Sequence, residues 1–257
     1  MPLERFLRYS AKLIANAQAD IDVLGLVLVG STADISRVDE WSDHDFYWVV
    51  KNGLGEKYRQ DLSWIPEIDE AVLTPRETAH GLKVVFKNGQ VLEFAVFEDS
   101  ELELAGLNTY AVPVDKTNIA ERCEVIERRS ATKPEFNWDQ EFELMLTLIL
   151  IGVGRFRRGE VLIAGQFIRS YVLDKLIGLI RATIAPLAGS EQSEDNLNRF
   201  RRFEIQYPAY ASNIEDALQR DVDQAALALL NIAIGLKTLS EQQQAQVAVI
   251  KNRLDWA

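Results

Sequence analysis

The chain has 257 residues, 47% of them hydrophobic and 26% charged, a globular balance that excludes disordered, collagen-like and coiled-coil classes. Lys and Arg number 28 against 39 Asp and Glu, a formal net charge of -11, so a surface that tracks nucleic-acid phosphates is not expected. The single cysteine, Cys123, excludes an intramolecular disulfide and a Cys-based zinc site. The longest apolar run, Leu144 to Val153, falls far short of the roughly 20 residues that span a bilayer. Glu4, Arg5 and Arg8 interrupt the N-terminal stretch, which therefore lacks a signal-peptide apolar core, and a cytoplasmic protein with no membrane partner is expected.

In chain order, Leu3, Phe6, Leu7, Ile14 and Ala17 recur at helical spacing, with Pro2 at a first-turn position. Leu24 to Val29 is a continuous apolar run ending at Gly30 and reads as a buried strand; Phe46 to Val50 reads as another. Lys83 to Phe86, the Asn88-Gly89 turn and Val91 to Phe97 form a hairpin signal, because both turn residues tolerate positive φ. Glu98-Asp99-Ser100-Glu101 reads as a helix start, where acids complement the dipole. Beyond Lys133-Pro134 the pattern changes to long helices: Phe142 to Phe156, Val161 to Ile180 closed by Pro186 and Gly189, then Asp223 to Leu239. Ser240 with Gln243 is a capping box for a last helix. The boundary falls within residues 128 to 138, giving an expected domain over 1–132 and a helical domain over 133–257.

The informative segment is Leu28-Val29-Gly30-Ser31, followed by Asp43-His44-Asp45 and Phe46 to Val50. At a strand start, the period of two puts the Asp43 and Asp45 carboxylates on one face and His44 on the other. Two carboxylates that close repel unless a cation lies between them, and an all-oxygen set favours Mg²⁺ or Mn²⁺. Gly30-Ser31 ends the preceding strand in a turn whose small residues and free N–H groups admit a phosphate. Glu93 is acidic within the apolar strand Val91 to Phe97 and shares its face with Ala95 and Phe97.

These residues resemble the nucleotidyltransferase superfamily of DNA polymerase beta and the antibiotic adenylyltransferases, whose pattern is a Gly-Ser turn, a spacer, Asp-x-Asp opening a strand and a third acid on a later strand. Gly30, Ser31, Asp43 and Asp45 match the first two parts and Glu93 the third; Glu93, where the family often has Asp, and His44, where it usually has an apolar residue, depart from it. Arg158-Gly159-Glu160 and Arg201-Arg202-Phe203-Glu204 look like the helical half of aminoglycoside and lincosamide nucleotidyltransferases.

The resemblance implies an α+β chain: a nucleotidyltransferase fold of mixed sheet and flanking helices, then an α-helical bundle completing the acceptor cleft. It implies ATP or another NTP as donor and two Mg²⁺ ions, one on Asp43 and Asp45 with the phosphates held at Gly30-Ser31, the other shared with Glu93. A small-molecule hydroxyl takes the nucleoside monophosphate and pyrophosphate leaves. Glu93 or Glu160 takes the proton; Glu160 reads equally as a structural ion pair or a cap. Arg201 and Arg202 read as phosphate ligands or as solvated charges on a surface helix. Three readings stay open: an aminoglycoside- or lincosamide-type transferase, a toxin–antitoxin-type enzyme modifying a protein, and a non-catalytic nucleotide-binding module. The apolar helices fit a homodimer as well as an internal bundle. Gly152 to Arg157 has a superficial dinucleotide-loop spacing but sits in a helical stretch with no strand before it.

Overall fold

The computed structural model describes residues 3–132, 135–190 and 195–256; Pro2 and the Lys133-Pro134 junction lie outside them. Contacts divide the chain into two units, Met1–Lys133 and Pro134–Ala257. The first unit runs α1 (Leu3–Ala19), β1 (Val23–Val29), α2 (Gly30–Ala33), β2 (His44–Val50), α3 (Gly55–Gln60), β3 (Ala71–Leu73), β4 (Gly81–Phe86), β5 (Val91–Glu98), β6 (Tyr110–Asp115) and α4 (Ile119–Ala131). The strands form one sheet in the order β3-β4-β5-β2-β1-β6. Among the described residues only the β2–β5 pair is parallel; the other four pairs are antiparallel.

The central strands are apolar on both faces because both faces are covered. Phe46, Trp48 and Val50 of β2 pack with Tyr9, Leu13 and Ala17 of α1 on one side. Val27, Val49 and Phe97 pack with Ile119, Cys123 and Ile126 of α4 on the other. The helical spacing in α1 is real, but the buried stripe is Phe6, Tyr9, Ser10, Leu13 and Ala17, while Leu3 and Leu7 are exposed. Tyr9 takes a place in the stripe because its hydroxyl donates to the Pro66 carbonyl, which satisfies the one polar atom that burial would otherwise strand.

The hairpin forms where expected, with a different turn. Gly89 has φ +83° but Asn88 is not in the left-handed region. The Phe86 N–H donates to the Gln90 carbonyl and the Asn88 side chain accepts from the Gln90 N–H, so the loop is the three residues Lys87, Asn88 and Gly89. One left-handed glycine after a turn suffices for a loop of this length. Glu98 caps the 3-10 turn Asp99–Leu104 in a capping box with Glu101, as its acidic run suggested.

The second unit comprises α5 (Trp138–Arg157), α6 (Val161–Gln166), a π-helical segment Phe167–Val172, α7 (Leu173–Thr183), α8 (Phe203–Gln206), α9 (Pro208–Leu218), α10 (Val222–Ile234) and α11 (Glu241–Arg253). Phe142, Met145, Ile149 and Val153 of α5 meet Ile168, Val172, Leu176 and Ile180, and α10 adds Ala226, Leu229 and Leu230 to the same core. The run expected to end at Leu239 stops at Ile234, with Gly235 at its C-cap. Ser240 and Gln243 do form the capping box of α11. Arg201 and Arg202 precede α8 instead of lying on a helix: Arg202 has φ +57° and Arg201 pairs with the buried carboxylate of Asp195 at 3.6 Å. Gly152 lies inside α5, where helix packing rather than a ligand explains its lack of a side chain. The whole is an α+β chain, a mixed sheet flanked by helices followed by a helical bundle.

Candidate active site

The site is assembled on the α4-facing side of the sheet, at the N-terminal ends of two parallel strands. β1 ends at Val29, and Gly30 turns the chain with φ +59° into α2. A Cβ on Gly30 would stand 3.0 Å from Asp45 Oδ2, so the turn is fixed both by its left-handed backbone and by the carboxylate pressed against it. The Gly30 N–H donates to the Thr109 carbonyl at 3.1 Å, which corrects the expectation that it is free for a phosphate. Closing the turn onto β6 uses that donor. Ser31 is the first residue after it, in α2.

Asp43 and Asp45 flank His44 at the start of β2. In the parallel pair, Asp45 is opposite Glu93 of β5. Asp43, Asp45 and Glu93 each offer a carboxylate oxygen, and the three oxygens lie within 4.8 Å of one another. The topology brings together residues that are far apart in sequence, because β5 adds to the sheet beside β2 in parallel register.

His44 points to the opposite face, as the strand period demands. It is fully buried, stacked on Phe6 with ring centroids 3.9 Å apart, and its Nε2 lies 3.1 Å from the Phe6 carbonyl. Nδ1 has no hydrogen-bond partner among the described residues. Burial pushes the imidazole down to about 4 despite that carbonyl, so the ring is neutral near pH 7. The histidine thus fills the role of the apolar residue expected there, fastening the strand start to α1.

Three residues complete the site without having been singled out in the sequence. Thr32, buried on α2, accepts from the Asp45 N–H at 2.8 Å, and its hydroxyl lies 3.4 Å from the Asp43 carbonyl. One hydroxyl therefore links the turn to the backbone of both aspartates. Tyr47, two positions after Asp45, donates to the Gly106 carbonyl, and burial with Asp45 nearby pushes its phenol up to about 12. Lys83 of β4 pairs in register with Glu93; its Nζ lies 3.2 Å from Glu93 Oε2 and 3.1 Å from Glu77 Oε1. These two carboxylates, Glu77 first, hold the ammonium's pKa above its usual value. Val29, Asp45, Glu93 and Lys83 consequently form one transverse row across β1, β2, β5 and β4.

Glu160 belongs to the second unit, at the N-cap of α6, where its side chain caps no N–H. Its carboxylate accepts from Arg155 at 2.6 Å and Arg158 at 3.0 Å, and these guanidiniums, Arg155 foremost, hold its pKa below the usual carboxylate value. His80, on an edge loop, lies 3.2 Å from Glu101 and tilts against Phe97.

No family model matches the chain, and no curated protein matches it. Solved structures similar to it include an aminoglycoside 6-adenyltransferase from Bacillus subtilis, at 13% identity over 95% of this chain and 96% of that one, TM-score 0.35. A nucleotidyltransferase-like protein from Exiguobacterium sibiricum 255-15 matches at 12% identity over 96% and 77%, TM-score 0.35. CdnC of E. coli MS115-1, in complex with HORMA-deltaN, matches at 13% identity over 98% and 90%, TM-score 0.32. At this identity and overlap the likeness assigns no activity.

Proposed function

We propose that the chain is a divalent-metal-dependent nucleotidyltransferase that moves a nucleoside monophosphate, AMP from ATP, onto a hydroxyl of a small molecule and releases pyrophosphate. The observation that carries this reading is the gathering of Asp43, Asp45 and Glu93 oxygens within 4.8 Å, beside a glycine turn at the end of β1. Three carboxylates at that spacing are a hard, all-oxygen donor set, which suits Mg²⁺ or Mn²⁺. The charge balance supports such ions: like charges this close are costly without a cation, and the ammonium of Lys83 lies against Glu93, 3.2 Å from its Oε2.

Asp43 and Asp45 would hold the ion that accompanies the triphosphate, and Glu93 would join them for a second. Such ions supply charge neutralisation for the phosphates and make an acceptor hydroxyl easier to deprotonate. The side chains of this unit do the rest. Gly30 lets the triphosphate approach without a Cβ in the way, and Ser31 presents a hydroxyl beside it. Thr32 fixes the backbone from which both aspartates project. Glu93 takes the proton as the acceptor oxygen bonds to the α-phosphorus and the bond to pyrophosphate breaks. We assign the base to Glu93 over Glu160, because a carboxylate held by two guanidiniums is a poor proton acceptor. The helical unit is proposed to select the acceptor, with an aminoglycoside or a lincosamide as the class to test first.

The test is pyrophosphate release from each NTP with Mg²⁺ across aminoglycosides, lincosamides and simple polyols. Acceptor-dependent release is expected, falling by about a thousandfold or more in Asp45→Ala while the melting temperature holds. Release that survives in Asp45→Ala sinks the assignment; ATP binding without release from any acceptor favours a nucleotide-binding module.

A further inference from the structure

We infer that Lys83 is a tethered competitor for the divalent cation, a positioning residue whose ammonium occupies Glu93 in the metal-free protein and so sets the affinity of the Glu93-dependent ion. The inference rests on the metal-site reading above and adds to it a residue that regulates loading. Lys83 is held opposite Glu93 by the antiparallel β4–β5 register, so the pair follows from backbone geometry and not from a chance rotamer. Its Nζ lies 3.2 Å from Glu93 Oε2, on the same carboxylate that offers an oxygen to the cluster with Asp43 and Asp45. Glu77 binds the same ammonium at 3.1 Å from the loop before β4. The ammonium is thus divided between a carboxylate inside the cluster and one outside it. A cation entering the cluster draws on Glu93 and leaves Lys83 to Glu77, which makes Glu77 a parking place for the displaced ammonium.

The arrangement has a sign that a merely structural ion pair lacks. Removing Lys83 frees Glu93 and tightens cation binding. Removing the charge of Glu77 returns the ammonium wholly to Glu93 and weakens it. Both side chains are at the surface, with 33% and 48% of the side chain exposed, so neither change disturbs the core.

The experiment is titration of the full chain with MnCl2, read by calorimetry and by the loss of free Mn²⁺ signal in electron paramagnetic resonance. Lys83→Met is expected to lower the Kd about three- to fivefold, the scale of an exposed ion pair, and Glu77→Gln to raise it. Lys83→Arg keeps the competitor and stays near wild type. In a Glu93→Gln background the Lys83→Met effect shrinks below about twofold, since the contested ligand is gone. An effect of undiminished size there means a general field across the surface and overturns the proposal. So do equal Kd values for wild type and Lys83→Met, or a tighter Kd in Glu77→Gln. If folded wild type and Lys83→Met both bind no Mn²⁺, the metal-site reading itself fails, a result distinct from equal binding by both.

Discussion

Thr32 shows how much of the site is decided by single atoms. Its hydroxyl accepts the Asp45 N–H at 2.8 Å in a buried position, so Thr32→Val leaves that donor without its acceptor while keeping the side chain's volume. An unsatisfied buried donor costs about 1–3 kcal/mol, and that loss is expected in denaturant unfolding of Thr32→Val. Thr32→Ser retains the hydroxyl and is expected to recover most of it. Because the same residue sets the backbone of both aspartates, Thr32→Val also slows turnover by about tenfold, whereas an unchanged rate at reduced stability would confine Thr32 to the fold. Sequence could name Gly30, Ser31, Asp43 and Asp45 because strand period and residue chemistry are local properties, and Glu93 through the family resemblance. It could not name Thr32, whose part depends on how tightly α2 turns back onto β2.

At the scale of elements, the β4–β5 hairpin carries the clearest lesson about what a one-dimensional reading can see. A two-residue turn at Asn88-Gly89 would place Lys83 opposite Phe94. The three-residue loop pairs Lys83 with Glu93 instead, and the lysine joins the acidic row. A shift of one residue sends every side chain to the other face of the sheet, so the electrostatics of the site turned on a loop detail that composition does not fix. The parallel pairing of β2 with β5 was equally hidden, since nothing in either strand states which neighbour it takes. Helices were more legible: α11 starts at its Ser240–Gln243 capping box, and α5, expected over Phe142 to Phe156, spans Trp138–Arg157, because caps and apolar spacing are short-range. The π-helical segment at Phe167–Val172 was not, as it comes from packing within a run that reads as uninterrupted helix. Against that segment α5 presents Gly152, where a Cβ would lie 2.8 Å from Ile168 Cδ1 and 2.9 Å from Phe167 Cβ. Gly152→Val is therefore expected to destabilise the helical unit by about 1–3 kcal/mol through overpacking, seen as an earlier thermal transition. A transition at the wild-type temperature would mean the helices separate at no cost.

For the molecule as a whole, the net charge of -11 works against a triphosphate and in favour of a polycation. This separates a polycationic acceptor from a neutral one by kinetics. With an aminoglycoside, kcat/KM is expected to fall about tenfold between low salt and 0.5 M salt, as the screening length shortens. A neutral polyol measured against the same metal–ATP donor controls for the salt sensitivity of nucleotide binding. Parallel salt curves for the two would show that the acidic surface takes no part in acceptor capture. No helix among the described residues is long and apolar enough to cross a membrane.

The one thiol of the chain sits in the first unit alone, fully enclosed where α4 meets the sheet. Burial lifts Cys123 to about 11, so at pH 8 the native thiol is both hidden and protonated. A thiol reagent can reach it only when α4 lifts from the strands that carry Asp45 and Glu93. Its trapping rate is therefore a clock for opening of the first unit. The chain comes with a built-in reporter, and slowing of that clock by Mn²⁺ would time the fastening of the sheet without any label being introduced.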